Sequence, residues 1–89
     1  MLYLFTIFDT KSLAAGPIFT TKTVAEGERQ FNDAMTYQAP EGSLWRTHPE
    51  DFQLVLIGEF DDRDPLITNT TKTIIATGKK PEISTEVTA

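Results

Sequence analysis

The run Phe52-Gln53-Leu54-Val55-Leu56-Ile57-Gly58-Glu59-Phe60-Asp61 limits most strongly what this chain can fold into. Its aromatic, aliphatic and β-branched residues suit a strand, and its length falls far short of the ~20 residues that a bilayer span requires. On a period of two, Phe52, Leu54, Leu56 and Phe60 fall on one face, and Val55 and Ile57 on the other. A strand that is apolar on both faces belongs inside a sheet and needs a layer on each side. A second run, Leu2-Tyr3-Leu4-Phe5-Thr6-Ile7-Phe8, has the same character, interrupted only by Thr6, and ends at the turn-like Asp9-Thr10-Lys11-Ser12.

The rest of the chain supplies few layers to cover two such strands. Thr23-Val24-Ala25-Glu26 reads as a capping box that starts a helix, in which Val24, Phe31, Ala34 and Met35 share one side. Gly27 lies on that apolar side, where close packing against the sheet explains it, and the helix is expected to end near 37–39, ahead of Pro40. Pro17-Ile18-Phe19-Thr20 suits a short edge strand, and 40–43 is loop. Thr47-His48-Pro49-Glu50-Asp51 suits a single helical turn with proline near its start. After the turn Asp61-Asp62-Arg63-Asp64, Pro65-Leu66-Ile67-Thr68 can return as a hairpin partner, and 73–76 is a short strand or strap.

The expected fold class is therefore α+β: a small, mostly antiparallel sheet of three to five strands with one main amphipathic helix on one face. Residues 1–77 form the single domain and 78–89 a polar C-terminal tail. With one helix for two sheet faces, the second face must be covered by loops, by the C-terminal segment or by another subunit, and a homodimer is the expectation. At 89 residues the core is thin, since such chains bury only roughly 60–65% of their unfolded surface. No cysteine is present, so disulfides and thiolate metal sites are excluded. The apolar start is too short for a membrane span and lacks the basic flank of a signal peptide, so no membrane association is expected.

Charge bears on partners. Eight Lys and Arg against thirteen Asp and Glu give a net charge of −5, which works against sequence-independent DNA binding through phosphates. His48 is the only histidine and is better read as part of its helical turn than as a base or ligand. Asp61, Asp62 and Asp64 can in principle collect a hard cation, but Arg63 sits among them and no distal Glu completes a loop motif, so a solvated hairpin turn is the better reading. The strand aromatics Tyr3, Phe5, Phe8, Phe19, Phe52 and Phe60 read as core. Trp45-Arg46, in a loop beside a cation, is the better candidate for base stacking, set against a tryptophan that merely covers the sheet edge. No phosphate loop, nucleophile elbow or paired histidine occurs, so the expectation is a protein that is not an enzyme and needs no cofactor.

The order of the motifs carries a resemblance. Leu2-Tyr3, Phe5-Thr6-Ile7-Phe8-Asp9 and Lys11 lead into Gly16-Pro17-Ile18-Phe19; a helix with Arg29 and Phe31 follows, then His48-Pro49-Glu50-Asp51-Phe52, Leu54, Ile57-Gly58 and Phe60-Asp61. Over residues 2–76 this resembles the small non-structural protein of gokushoviruses, single-stranded DNA phages of the Microviridae. The resemblance implies a non-enzymatic viral early protein of the host bacterial cytoplasm. That family is usually equated with the microviral protein that switches replication to single-strand synthesis and packaging.

Two mechanisms follow. One is contact with a protein: the viral replication initiator, a host replication factor or the procapsid, engaged by the acidic surface. The other is direct binding of single-stranded DNA through a local patch of Trp45, Arg46, Lys72, Lys79 and Lys80. A nuclease built on the Asp61–Asp64 turn is a distant third.

Overall fold

Antiparallel pairing of the two apolar runs forms the centre of the molecule. The computed structural model describes residues 1–36 and 39–79. Strand β1 (Leu2–Asp9) pairs along nearly its whole length with β3 (Phe52–Asp61), which places Ile7 beside Leu54 and Phe5 beside Leu56. On its outer side β1 pairs with β2 (Ala14–Thr21), and the remaining edge of β3 is shared by two short strands. Strand β4 (Leu66–Thr68) takes the end at Glu59, Phe60 and Asp61, and β5 (Thr73–Thr77) takes the start from Gln53 to Leu56. The result is a five-stranded antiparallel sheet, as the sequence leads one to expect.

The register shifts once in each of three strand pairs, and each shift inserts one extra residue. In β3 the extra residue is Ile57, because Phe5 opposes Leu56 while Leu4 opposes Gly58. This corrects the face assignment read from simple alternation. Phe60 opposes Leu2 and lies on the other face from Phe52, Leu54 and Leu56. In β2 the irregularity falls at Gly16-Pro17, where an edge strand tolerates a residue without an N–H, and the Thr6 hydroxyl donates to the Gly16 carbonyl oxygen (2.9 Å).

One face of the sheet carries the helical layer. Helix α1 (Val24–Met35) begins with Thr23, whose Oγ1 accepts from the Glu26 N–H at 3.0 Å. The Glu26 carboxylate reaches back one residue beyond the cap and accepts from the Lys22 N–H at 3.1 Å. The helix ends at Met35, slightly before the expected 37–39, with Thr36 as its cap. It buries Gly27, Phe31 and Met35 against Phe5, Phe52 and Leu54, with Tyr3, Ile7, Phe19 and Leu56 packed around them. Phe5 and Phe31 are fully buried, and each such side chain contributes about 2–3 kcal/mol through the water it excludes. Gly27 has the close-packing role its position suggests: a Cβ there would lie 2.5 Å from the Phe5 ring.

The segment leading into β3 is more ordered than a loop. A four-residue helix α2 (Leu44–Thr47) precedes a 3₁₀ turn at Pro49–Asp51, and the His48 N–H donates to the Leu44 carbonyl oxygen at 2.8 Å. Both the N–H and the hydroxyl of Thr10 donate to the Asp51 carbonyl oxygen (2.9 Å each), tying this turn to the end of β1. Gly78, just past β5, donates its N–H to Phe52 O at 2.9 Å and lies against Pro49 so closely that a Cβ would collide with the Pro49 backbone.

Neither α1 nor α2 packs on the opposite face of the sheet. Across it runs the row Ile18, Thr6, Val55 and Ile74, one residue from each of β2, β1, β3 and β5. Leu2, Phe60 and Ile67 form a second row at one end. Leu4, Thr6 and Val55 are buried at the centre of this face, whereas Ile18, Ile67 and Ile74 are 60%, 55% and 53% exposed.

Candidate functional site

The five residues singled out for DNA or partner contact are not assembled into one patch. Trp45 and Arg46 lie on α2 at the end of the sheet where β3 starts. Lys79 follows Gly78 at that same end, since Gly78 is bonded to Phe52. Lys72 lies in the connection before β5, at the opposite end of that strand, and Lys80 falls outside the described residues.

The side chains of the first pair are already engaged. The Trp45 ring meets Phe52 edge-on, with centroids 6.2 Å apart and planes at 75°, and packs against the core cluster. That geometry is a favourable aromatic contact, and it leaves Trp45 half-buried. Trp45 thus takes the role of a tryptophan covering the sheet edge, held there by a short helix and not by a loop. The Arg46 guanidinium donates to the Ala39 carbonyl oxygen at 3.3 Å. Of the other cations, Lys11 lies in the β1–β2 turn, Lys22 just ahead of α1, Arg29 on α1, and Arg63 between two aspartates of the β3–β4 turn. Lys22 and Arg29 line one concavity at the start of α1 together with Glu26, while the other cations of the described residues sit on separate turns and elements.

The acids have visible structural partners. Asp9 opens the β1–β2 turn by accepting from the N–H groups of Lys11 (2.9 Å) and Ser12 (3.3 Å). Asp61 opens the β3–β4 turn in the same way, accepting from Arg63 (3.0 Å) and Asp64 (3.3 Å). Both are Asx turns, which explains an aspartate at the first position of each hairpin. The Lys11 N–H, the largest influence on Asp9, holds its carboxyl below the usual aspartate range. The Asp62 carboxyl is also lowered, chiefly by its hydrogen bond with the N-terminal ammonium at 3.0 Å. Among the described residues, no group of three or more His, Cys, Asp and Glu side chains is placed to hold a metal ion. The exposed His48 ring lies 3.7 Å from the Glu50 carboxylate, within the turn that launches β3.

Three concavities border α1. One, of about 530 Å³, runs between α1 and β5 and is lined by Glu28, Asn32, Met35, Ile75, Ala76 and Lys79 among others. A second, of about 280 Å³, is a shallow cleft at Ile7, Phe19 and Ala34, with Gln30 and Asp33 at its rim. The third, of about 320 Å³, lies at the start of α1, where Lys22 and Arg29 share it with Thr23, Ala25 and Glu26. None gathers a set of convergent polar groups around an apolar interior, the pattern expected of a small-molecule site. What simple alternation missed is which residues make up the sheet face that carries no helix. Its extent depends on the extra residue at Ile57, which brings Phe60 and its partner Ile67 onto that face.

This geometry defines a small two-layer α+β protein with helices on one side of an antiparallel sheet and an apolar opposite face. No helix of the described residues is long and apolar enough to cross a membrane. The chain matches the family model described as Phage ORF5 protein over residues 2–80, and it belongs to that family of phage proteins. No curated protein matches it significantly, and neither does any solved structure.

Proposed function

We propose that this phage protein is a non-structural protein of the gokushovirus type that acts without catalysis in the cytoplasm of the infected bacterium. It helps turn genome replication toward single-strand synthesis and packaging, and it does so by contacting a protein that handles DNA. The order of motifs from Leu2 to Phe60 supports the lineage, and membership of a phage protein family agrees with it.

The observation that carries the mechanism is the use and distribution of its aromatic and cationic side chains. Trp45 packs on Phe52, Arg46 bonds the Ala39 carbonyl, and the other described cations sit on separate turns and elements, apart from Lys22 and Arg29, which share a concavity with Glu26. A net charge of −5 then makes a basic protein surface a better counterpart than a phosphate backbone. The replication initiator, a host replication factor and the procapsid are the partners of this kind. Direct binding of single-stranded DNA is the second reading. It draws on Lys79, which lines the groove between α1 and β5 at the same end as Trp45 and Arg46, although Glu28 lines that groove too.

The role is tested in infected cells with a phage genome carrying an early stop in this gene. Strand-specific probes should find duplex genomes accumulating while single-stranded genomes fall. An unchanged ratio of the two forms would contradict the role in replication.

A further inference from the structure

The bare face of the sheet has a property that the rest of the surface lacks. None of its cross-strand positions carries an Asp, Glu, Lys or Arg, although 24% of the chain is charged. The strand acids Asp9, Glu59 and Asp61 all pair on the helical side: Asp9 with Phe52, Glu59 with Tyr3, and Asp61 next to Phe60 but on the opposite face. The three exposed isoleucines Ile18, Ile67 and Ile74 flank a centre that is already buried. Exposed isoleucines at the margins of an uncharged sheet face suit an interaction site.

We propose that this face is the interface of a symmetric dimer, with the occupant a second copy of the same chain. Charge selects that occupant. Two chains of −5 each repel one another, and the bare face is where they can meet without bringing carboxylates together. A basic partner protein gains nothing from a face without charge. The segment 80–89 has only Ile83 and Val87 as large apolar residues and also carries Glu82 and Glu86, which suits it poorly to cover isoleucines on both flanks.

Size sets how strong such a dimer can be. Four strands at about 4.8 Å spacing and eight residues at about 3.3 Å give a face of roughly 500 Å². Two such faces bury at most roughly 1,000 Å², and less because Leu4, Thr6 and Val55 are already covered, which is the size of a weak interface. Sheets packed face to face lie about 10 Å apart with their strands within about 30° of each other, so Ile18 of one copy and Ile74 of the other can meet across the axis. The dimer is independent of the role in replication: it rests on register and charge, and either can fail alone.

Sedimentation equilibrium on the full chain at tens of micromolar tests it. The expected mass is about twice 10.0 kDa. Ile18→Lys and Ile74→Lys change exposed positions, so each variant should stay folded by circular dichroism while its dissociation constant rises about tenfold or more. Leu44→Lys, equally exposed but on α2, should leave the dimer intact. Should either lysine variant fail to fold, Ile18→Thr and Ile74→Thr provide the milder reading of the same positions. A wild-type chain that is folded and monomeric overturns the proposal. So does a dimer that is weakened at Leu44 and unaffected at Ile18 and Ile74.

Discussion

Single residues show where this small fold has no slack. Gly27 faces the Phe5 ring, which is fully buried and stacked on Phe19 with centroids 5.6 Å apart. An alanine there gains about 1 kcal/mol of helix propensity, but overpacking a ring that cannot withdraw costs about 1–3 kcal/mol. Gly27→Ala should therefore lower stability in urea denaturation, against the usual sign for a helix. Leu13 presents the opposite case. It holds a left-handed backbone (φ 59°) in the β1–β2 turn and is 76% exposed, so its side chain gains little from packing. Leu13→Gly should raise stability by about 0.5–1 kcal/mol, the relief of left-handed strain less the added freedom of the unfolded chain. The role of Gly27 was legible in the sequence, because glycine on the apolar side of a helix signals close approach. The conformation of Leu13 was not, since nothing in its residue type announces a positive φ.

At the scale of elements, signals written in specific side chains transferred well, and those that depend on pairing did not. The start of α1 was readable because Thr23 and Glu26 each have one physical use there. Thr23→Ala should cost about 1 kcal/mol in the same denaturation assay. The length of β2 was not readable: Ala14, Ala15 and Gly16 have little strand preference and are held extended by pairing with β1. Helix α2 was missed because four residues cannot display a period, and Phe60 was misplaced because alternation carries no mark of the extra residue at Ile57. The hairpin turns add a pH dependence with a definite sign. The Asp9 carboxyl is lowered in the folded chain, so the stability it contributes is fully present above roughly pH 4 and is lost as pH falls through its lower folded value. In Asp9→Asn that part of the acid limb should vanish. The denaturation midpoint of the wild type should fall more between about pH 5 and 3 than that of the variant.

On the scale of the whole molecule, two features decide what the protein can meet. The helical side carries the strand acids and Trp45, while the opposite face carries no charge at its paired positions. The sequence made the shortage of covering layers plain, since two strands apolar on both faces accompany a single long helix. It did not disclose that the uncovered positions are uniformly uncharged, because that follows from the register. Nor did it disclose that Lys72 lies at the far end of β5 from Trp45, Arg46 and Lys79. The central claim is that the protein works through protein contacts and not through the phosphates of DNA. It is tested most directly by the anisotropy of labelled single-stranded DNA titrated with the full chain at about 50 and 200 mM salt. The account predicts no saturable binding at either salt concentration. Tight binding at the lower salt that weakens steeply at the higher would contradict it.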